Sequence, residues 1–154
     1  MVDRPKVLIT GASGLIGGLV IRGLSDKYEF SGLSRRPVPG IPHTAADITD
    51  RVAIRKATAG MDMVLHLAAE TQDYDNWDKV VDTTMGGTLN VFRAAQEAGV
   101  KRVVFASAGS TMIGYEWYEG SPYGRLAAGK LDRLPDGERM LLHTDPPRPD
   151  TFYS

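Results

Sequence analysis

The stretch Thr10-Gly11-Ala12-Ser13-Gly14-Leu15-Ile16-Gly17 sets three glycines three residues apart, directly after an apolar run and directly before a helical pattern. That placement gives the spacing a chemical meaning. The first glycine permits a tight turn, the second lets backbone approach a pyrophosphate with no Cβ in the way, and the third lets helix and strand pack closely. Free amides at the start of the following helix, with its dipole behind them, bind phosphates. The chemistry implied is dinucleotide binding around Gly11, Ser13, Gly14, Leu15, Ile16 and Gly17. Roughly 20 residues beyond such a turn, an acid would accept hydrogen bonds from the ribose hydroxyls and repel a 2′-phosphate. Here Ser34 stands at that place, followed by Arg35 and Arg36. A small hydroxyl beside guanidinium groups suits a 2′-phosphate, because arginine makes bidentate, charge-assisted contacts. The expected cofactor is NADP, with NAD as the alternative. The other reading of Arg35 and Arg36 is a solvated pair ahead of a proline-rich loop.

The remaining chemistry-bearing side chains point to no second site. His66, ending an apolar run, is expected to be a packed, hydrogen-bonded histidine. His43 and His143 stand alone. Asp73, Asp75 and Asp78 read as a solvated loop and helix N-terminus, where acids suit the dipole. No histidine-acid cluster has metal-ligand spacing. Trp77 and Phe92 read as packing residues. Cysteine is absent, which excludes disulfides, thiolate metal sites and cysteine nucleophiles.

The elements that must hold the glycine turn follow from apolar patterning. Short apolar runs at Val7–Thr10, Phe30–Ser34, Thr44–Ala46, Met63–Ala68 and Arg102–Ala106 read as strands. Between them, Leu15, Ile16, Leu19, Val20 and Leu24 follow helical spacing. Thr49 or Asp50 can cap a helix running toward Ala59, with Gly60 beyond its end. A long helix is expected over Trp77–Ala98, stopped by Gly99. Alternation of strand and helix, with continuous rather than alternating apolar strands, implies an α/β fold: a doubly wound parallel sheet of Rossmann type, five strands in the order 3-2-1-4-5. The core is assigned to residues 1–114. Residues 115–154, which hold five of the nine prolines, read as an irregular segment with at most one hairpin.

At 154 residues there is room for one domain. With 18 Lys plus Arg against 19 Asp plus Glu, nothing suggests a nucleic-acid or membrane partner held by bulk charge. No apolar run approaches the ~20 residues that span a bilayer, and no signal peptide is visible. A cytoplasmic protein is the expectation.

The glycine turn TGASGLIG resembles that of the extended short-chain dehydrogenase/reductases, the NAD-dependent epimerase/dehydratase family. Further stretches are similar in the same order: Asp47-Ile48, His66-Leu67-Ala68-Ala69, Gly87-Thr88-Leu89-Asn90, and the run Val100-Lys101-Arg102-Val103-Val104-Phe105-Ala106-Ser107. The resemblance implies that Asp47 meets the adenine amino group and that Leu67, Ala68 and Ala69 lie beside the cofactor ribose. It also implies a catalytic tyrosine, and Pro149-Asp150-Thr151-Phe152-Tyr153-Ser154 resembles the family's lead-in, which puts the acid/base on Tyr153. Its partner lysine would lie four residues on, past Ser154. The catalytic serine aligns with Ala108, so Ser107 is favoured, with Ser110 and Thr111 as alternatives. Thr84 stands where the family often has Asn.

The function implied is an NAD(P)-dependent oxidoreductase or epimerase/dehydratase acting on a small sugar-like substrate by hydride transfer. Phe105–Tyr115 has some similarity to the uronate dehydrogenase branch. The alternatives are a nucleotide-binding module without redox turnover, or an N-terminal piece of a longer enzyme. Residues Val103-Val104-Phe105 at a sheet edge, with Val80, Val91 and Phe92 turned outward on the long helix, lead to the expectation of a homo-oligomer.

Overall fold

The computed structural model describes residues 4–73, 75–117 and 120–150. The chain forms two compact units, one running to Ala106 and the other beginning at Ser107.

The first unit alternates strand and helix. Strands β1 (Lys6–Thr10), β2 (Glu29–Ser34), β3 (His43–Ala45), β4 (Met63–His66) and β5 (Arg102–Phe105) build one sheet in the order β3-β2-β1-β4-β5. Every neighbouring pair is parallel, with Val7 opposite Phe30 on one side and Met63 on the other. This is the doubly wound arrangement implied by the sequence.

Why β1 reads as an unbroken apolar run is visible in its packing. Successive side chains leave a strand on opposite faces, and both faces here are covered. Leu8 joins Leu33, Ile48, Ile54, Val64, Val91, Ala94 and Ala95 on one face. Val7 and Ile9 join Ala12 and Phe30 on the other, under Val20, Ile21 and Leu24 of α1 (Leu15–Leu24). Each fully buried Leu or Ile stabilises the fold by about 1.5–3 kcal/mol relative to exposure.

Helix α2 (Arg51–Thr58) starts at Asp50, whose carboxylate accepts from the amides of Val52 and Ala53, both at 3.0 Å. Asp50, rather than Thr49, is therefore the cap. Thr49 instead donates its hydroxyl to Asp47.

The long helix departs from the expectation of one uninterrupted α-helix. A first turn, α3 (Trp77–Lys79), leads into a π-helical segment, Val80–Gly86, and then into α4 (Gly87–Glu97). The amide of Gly87 reaches the carbonyl of Asp82, five residues back. Gly87, Val91, Ala94 and Ala95 form the buried face of α4. Their small size lets the helix lie close to the sheet.

Val80 and Val91 are accordingly core residues, at 1% and 0% exposure, and not outward-facing. The outward stripe is Met85, Leu89 and Phe92, and Val104 and Phe105 of β5 are also exposed. Phe92 and Phe105 meet edge to face at 6.0 Å.

In the second unit no strand or hairpin forms among the described residues. The apolar positions serve short helices instead: a 3₁₀ turn at Gly109–Met112, α5 (Gly114–Trp117) and α6 (Pro122–Ala127). Ser121 caps α6 through the amide of Gly124, with Pro122 at the first helical position, where its missing N–H costs nothing. The return segment is held by Arg148, whose amide donates to Thr111 and whose carbonyl accepts from Gly114. Its guanidinium lies 4.4 Å over the Tyr115 ring. Arg139 grips Asp145 and holds that carboxyl down at about 2.

Candidate dinucleotide site

A cavity of about 570 Å³ opens at the carboxyl ends of β1, β2 and β4, where ligands bind in open parallel sheets. The turn after β1 supplies Gly11, Ser13 and Gly14 to its wall. Gly11 has a φ of +72°, and its amide donates to the carbonyl of Leu33 at 2.8 Å. A Cβ there would stand 2.8 Å from the amide nitrogen of Ala68. The turn is thus wedged between the ends of β2 and β4, and only glycine fits. Gly14 is the N-cap of α1, and no side chain caps that helix. A bare helix start with a glycine at its mouth fits a phosphate, so the residues present suit a dinucleotide.

Other members of the expected set fall elsewhere. Gly17 is buried, and its Cα approaches Ala12 so closely that a Cβ would lie 2.7 Å from the Ala12 carbonyl oxygen. Its place is in the packing of α1 rather than on the cavity wall. Leu15 is exposed and lines a second, shallower cavity of about 370 Å³ with Gly18, Arg22 and Arg36. Ile16 is exposed and lines neither. The first turn of α1 directs these two side chains away from the site.

At the end of β2, Leu33, Ser34, Arg35 and Arg36 line the main cavity. Ser34 is less available than its position suggests. Its hydroxyl donates to the Arg36 carbonyl at 2.8 Å and lies 2.9 Å from His43 Nε2. It shapes the arginine loop, which leaves the guanidiniums of Arg35 and Arg36 as the cationic groups at that end. After β3, Ala46, Asp47 and Ile48 continue the wall. One Asp47 oxygen accepts from both the amide and the hydroxyl of Thr49 at 3.0 Å.

The stretch Gly87–Asn90 acts on this wall from behind. Gly87 leaves a notch for Ile48, since a Cβ there would lie 2.5 Å from both Cδ1 and Cγ1 of that side chain. Asn90 donates to the Ile48 carbonyl at 3.3 Å and accepts from Arg51 at 3.0 Å. Thr88 reaches His66 Nε2 at 2.9 Å, while His66 Nδ1 lies 2.5 Å from the Thr10 hydroxyl. His66 is fully buried and stacks on Phe105 at 5.4 Å. Burial pushes its imidazole down to about 4. It is the packed histidine expected, a neutral bridge between β1, β4 and α4.

After β4, Leu67, Ala68 and Ala69 line the cavity. The wall then continues through Glu70, Thr71, Gln72 and Asp73 to Lys79 and Thr83. Sequence reading missed this half of the site. Glu70 is a buried acid at 9% exposure. Its carboxyl is held below the usual carboxylate range by amide hydrogen bonds from Gln72 and Asp73, with the charges of Arg35 and Lys79 adding to the effect. Asp73 is not merely solvated: it pairs with Lys79 at 2.6 Å, which lowers the acid and raises the amine. A lysine in the first helical turn after a run of acids was the available signal. Asp75 and Asp78 are exposed.

Of the candidate hydroxyls, Ser107 is exposed and opens the second unit. Thr111 donates to the Ala108 carbonyl at 2.7 Å. Ser110 Oγ is enclosed and has no hydrogen-bond partner among the described residues. Tyr153 lies outside the described residues. Among those described, no group of three or more His, Cys, Asp or Glu could hold a metal, and no helix is long and apolar enough to cross a membrane.

This geometry agrees with comparisons to known proteins. The chain is 32% identical over 148 residues to L-arabinose 1-dehydrogenase (NAD(P)(+)) of Haloferax volcanii, covering 96% of this chain and 55% of that protein. It is 33% identical over 166 residues to the NAD-dependent glucose-6-phosphate dehydrogenase of the same organism, covering 99% and 58%. The crystal structure of uronate dehydrogenase from Agrobacterium tumefaciens superposes with a TM-score of 0.64 at 25% identity, covering 71% of this chain and 42% of that one. The chain therefore spans somewhat over half the length of these two curated relatives. Residues 7–137 match the NAD dependent epimerase/dehydratase profile, and with the glycine turn, the sheet order and the cavity in agreement, the chain belongs to that family.

Proposed function

We propose that the cavity binds a nicotinamide dinucleotide, NADP in preference to NAD, and that the chain is the cofactor-binding part of an oxidoreductase or epimerase/dehydratase acting on a sugar-like substrate. The observation that carries this reading is the uncapped, glycine-lined start of α1 opening into a cavity whose β2 end presents Arg35 and Arg36 and no acid. The bound dinucleotide would supply or accept hydride. The chain's own residues do the rest. Gly11, Ser13 and Gly14 admit the pyrophosphate, and Arg35 and Arg36 take a 2′-phosphate. Asp47 and Ile48 hold the adenine end, and Leu67, Ala68 and Ala69 bound the ribose. Tyr153 moves the proton, with Ser107 holding the substrate oxygen.

A sugar-like substrate, uronate, aldose or nucleotide sugar, is supported by the named activities of relatives: L-arabinose and glucose-6-phosphate dehydrogenases, and a solved structure of MoeE5 in complex with UDP-glucose and NAD. Self-association is part of the same reading, supported by the exposed Met85, Leu89 and Phe92 stripe.

Calorimetry decides the cofactor. NADP should bind more tightly than NAD, and Arg35→Ala should remove most of the difference, about tenfold or more for a charge-assisted phosphate contact. Tighter binding of NAD by the unaltered chain would refute the preference. Binding of neither would refute the site.

A further inference from the structure

The loop after β4 contains a buried acid that the cofactor chemistry above does not use. We propose that Glu70 is a positioning residue for the dinucleotide cleft: its carboxylate fixes the loop wall from Ala69 to Asp73 and thereby sets the cleft's shape opposite the arginines. This inference rests on the dinucleotide reading of the cavity.

The geometry is that of a clasp. Glu70 Oε1 accepts from the amides of Gln72 at 2.8 Å and Asp73 at 3.1 Å. The amide of Glu70 itself donates to Thr84 Oγ1 at 3.0 Å. Thr84 belongs to the π-helical segment, so the loop is tied at one end to its own acid and at the other to the helix behind it. Asp73, once placed, pairs with Lys79 and accepts from Asn76 at 3.3 Å. Four loop residues and Lys79 line the cavity together. A short loop whose amides would otherwise point into solvent is thus given one conformation by a single side chain. Charge-assisted bonds of a buried carboxylate to backbone amides are among the stronger ones available for this. Pre-ordering a wall that ligand binding would otherwise have to order raises affinity without any contact to the ligand.

The test separates loop order from charge and from general stability. In the 154-residue chain, NADPH affinity is measured by fluorescence titration for the wild type and for Glu70→Ala, Glu70→Gln, Thr84→Val and Ile54→Val, with the melting temperature of each unliganded protein. Glu70→Ala should weaken binding about tenfold. Glu70→Gln should stay within about threefold of wild type, because its Oε1 can still accept both amides. Thr84→Val, which loosens the other end, should also weaken binding. Ile54→Val, a fully buried core change away from the cavity, should lower the melting temperature and leave affinity unchanged.

Unaltered affinity in Glu70→Ala would overturn the proposal. So would equal losses in Glu70→Gln and Glu70→Ala, which would make the effect one of charge, or a matching loss in Ile54→Val. Should Glu70→Ala not fold, Thr84→Val with wild-type affinity would overturn it. A wild-type chain that binds no dinucleotide would overturn the functional reading and the Glu70 role with it. Wild-type binding that the loop variants leave intact would overturn the Glu70 role alone.

Discussion

Gly17 and Gly18 are neighbours in α1, yet the same substitution should move stability in opposite directions. Replacing an interior helical glycine with alanine gains about 1 kcal/mol in helix propensity at either place. At Gly18 nothing opposes the gain, since the nearest atom to an added Cβ is the flexible end of Arg22 at 3.4 Å. At Gly17 the added Cβ would lie 2.7, 2.9 and 3.0 Å from three backbone atoms of Ala12. None of these can turn aside, so α1 must lift from the turn. Overpacking of this kind costs about 1–3 kcal/mol, with backbone clashes toward the upper end. Gly17→Ala should therefore destabilise by about 2 kcal/mol net and Gly18→Ala should stabilise by about 1, a separation of about 3. In urea titrations with an m-value of about 2 kcal/mol/M, the two midpoints would stand about 1.5 M apart. Equal shifts of the same sign would show that helix propensity alone governs both positions and that the close approach of α1 to Ala12 is energetically empty.

Acid should destabilise the fold through His66. Its imidazole titrates near 6.5 when unfolded and at about 4 when folded, so the unfolded chain binds more protons between those values. Stability is whole above pH 6.5, falls as the pH drops toward 4 and levels off below, for a total of about 3 kcal/mol; His66→Gln should flatten that slope in urea midpoints taken at pH 7 and pH 4.5, and an unchanged slope would count against the burial argument. Asp50→Ala should cost about 1 kcal/mol through loss of the α2 cap, with Asp50→Ser recovering most of it in thermal melts. Gly87→Ala should displace Ile48 and weaken NADPH binding several-fold, and Ile48→Val in the same chain should restore part of that affinity; independent effects in the double-mutant cycle would show that the notch and the cavity wall are uncoupled.

The strands and their order were legible because a parallel sheet covered on both faces leaves unbroken apolar runs, and the run Val7-Leu8-Ile9 shows both faces at once. The glycine turn was legible because its pattern is local: three glycines at fixed spacing sit between an apolar run and a helical one, and the first takes a positive φ. Features set by distant contacts were not. The burial of Val91 depends on which face of α4 meets Leu8 and Val64, and spacing along one helix does not name its partner. The π-helical segment keeps the same residues while placing Thr84 beneath the amide of Glu70, and composition carries no mark of a widened turn. Glu70 looked like any acid in a loop, since its burial arises from amides two and three residues ahead folding back on it. The hydrogen bond that engages the Ser34 hydroxyl was hidden for the same reason: its partner His43, nine residues on, comes from a different strand.

The sheet order also governs the sequence in which the fold can be completed on the ribosome. The strand in the middle, β1, is made first, and β2 and β3 can pair beside it soon afterwards. Its other edge must wait for Met63–His66, and the cluster around Leu8 stays open until Val64 and then Val91 have been added. A nascent chain that ends before β4 therefore carries a strand destined for burial, β1, with one edge and part of one face uncovered. Such a species is a template for mispairing with other chains.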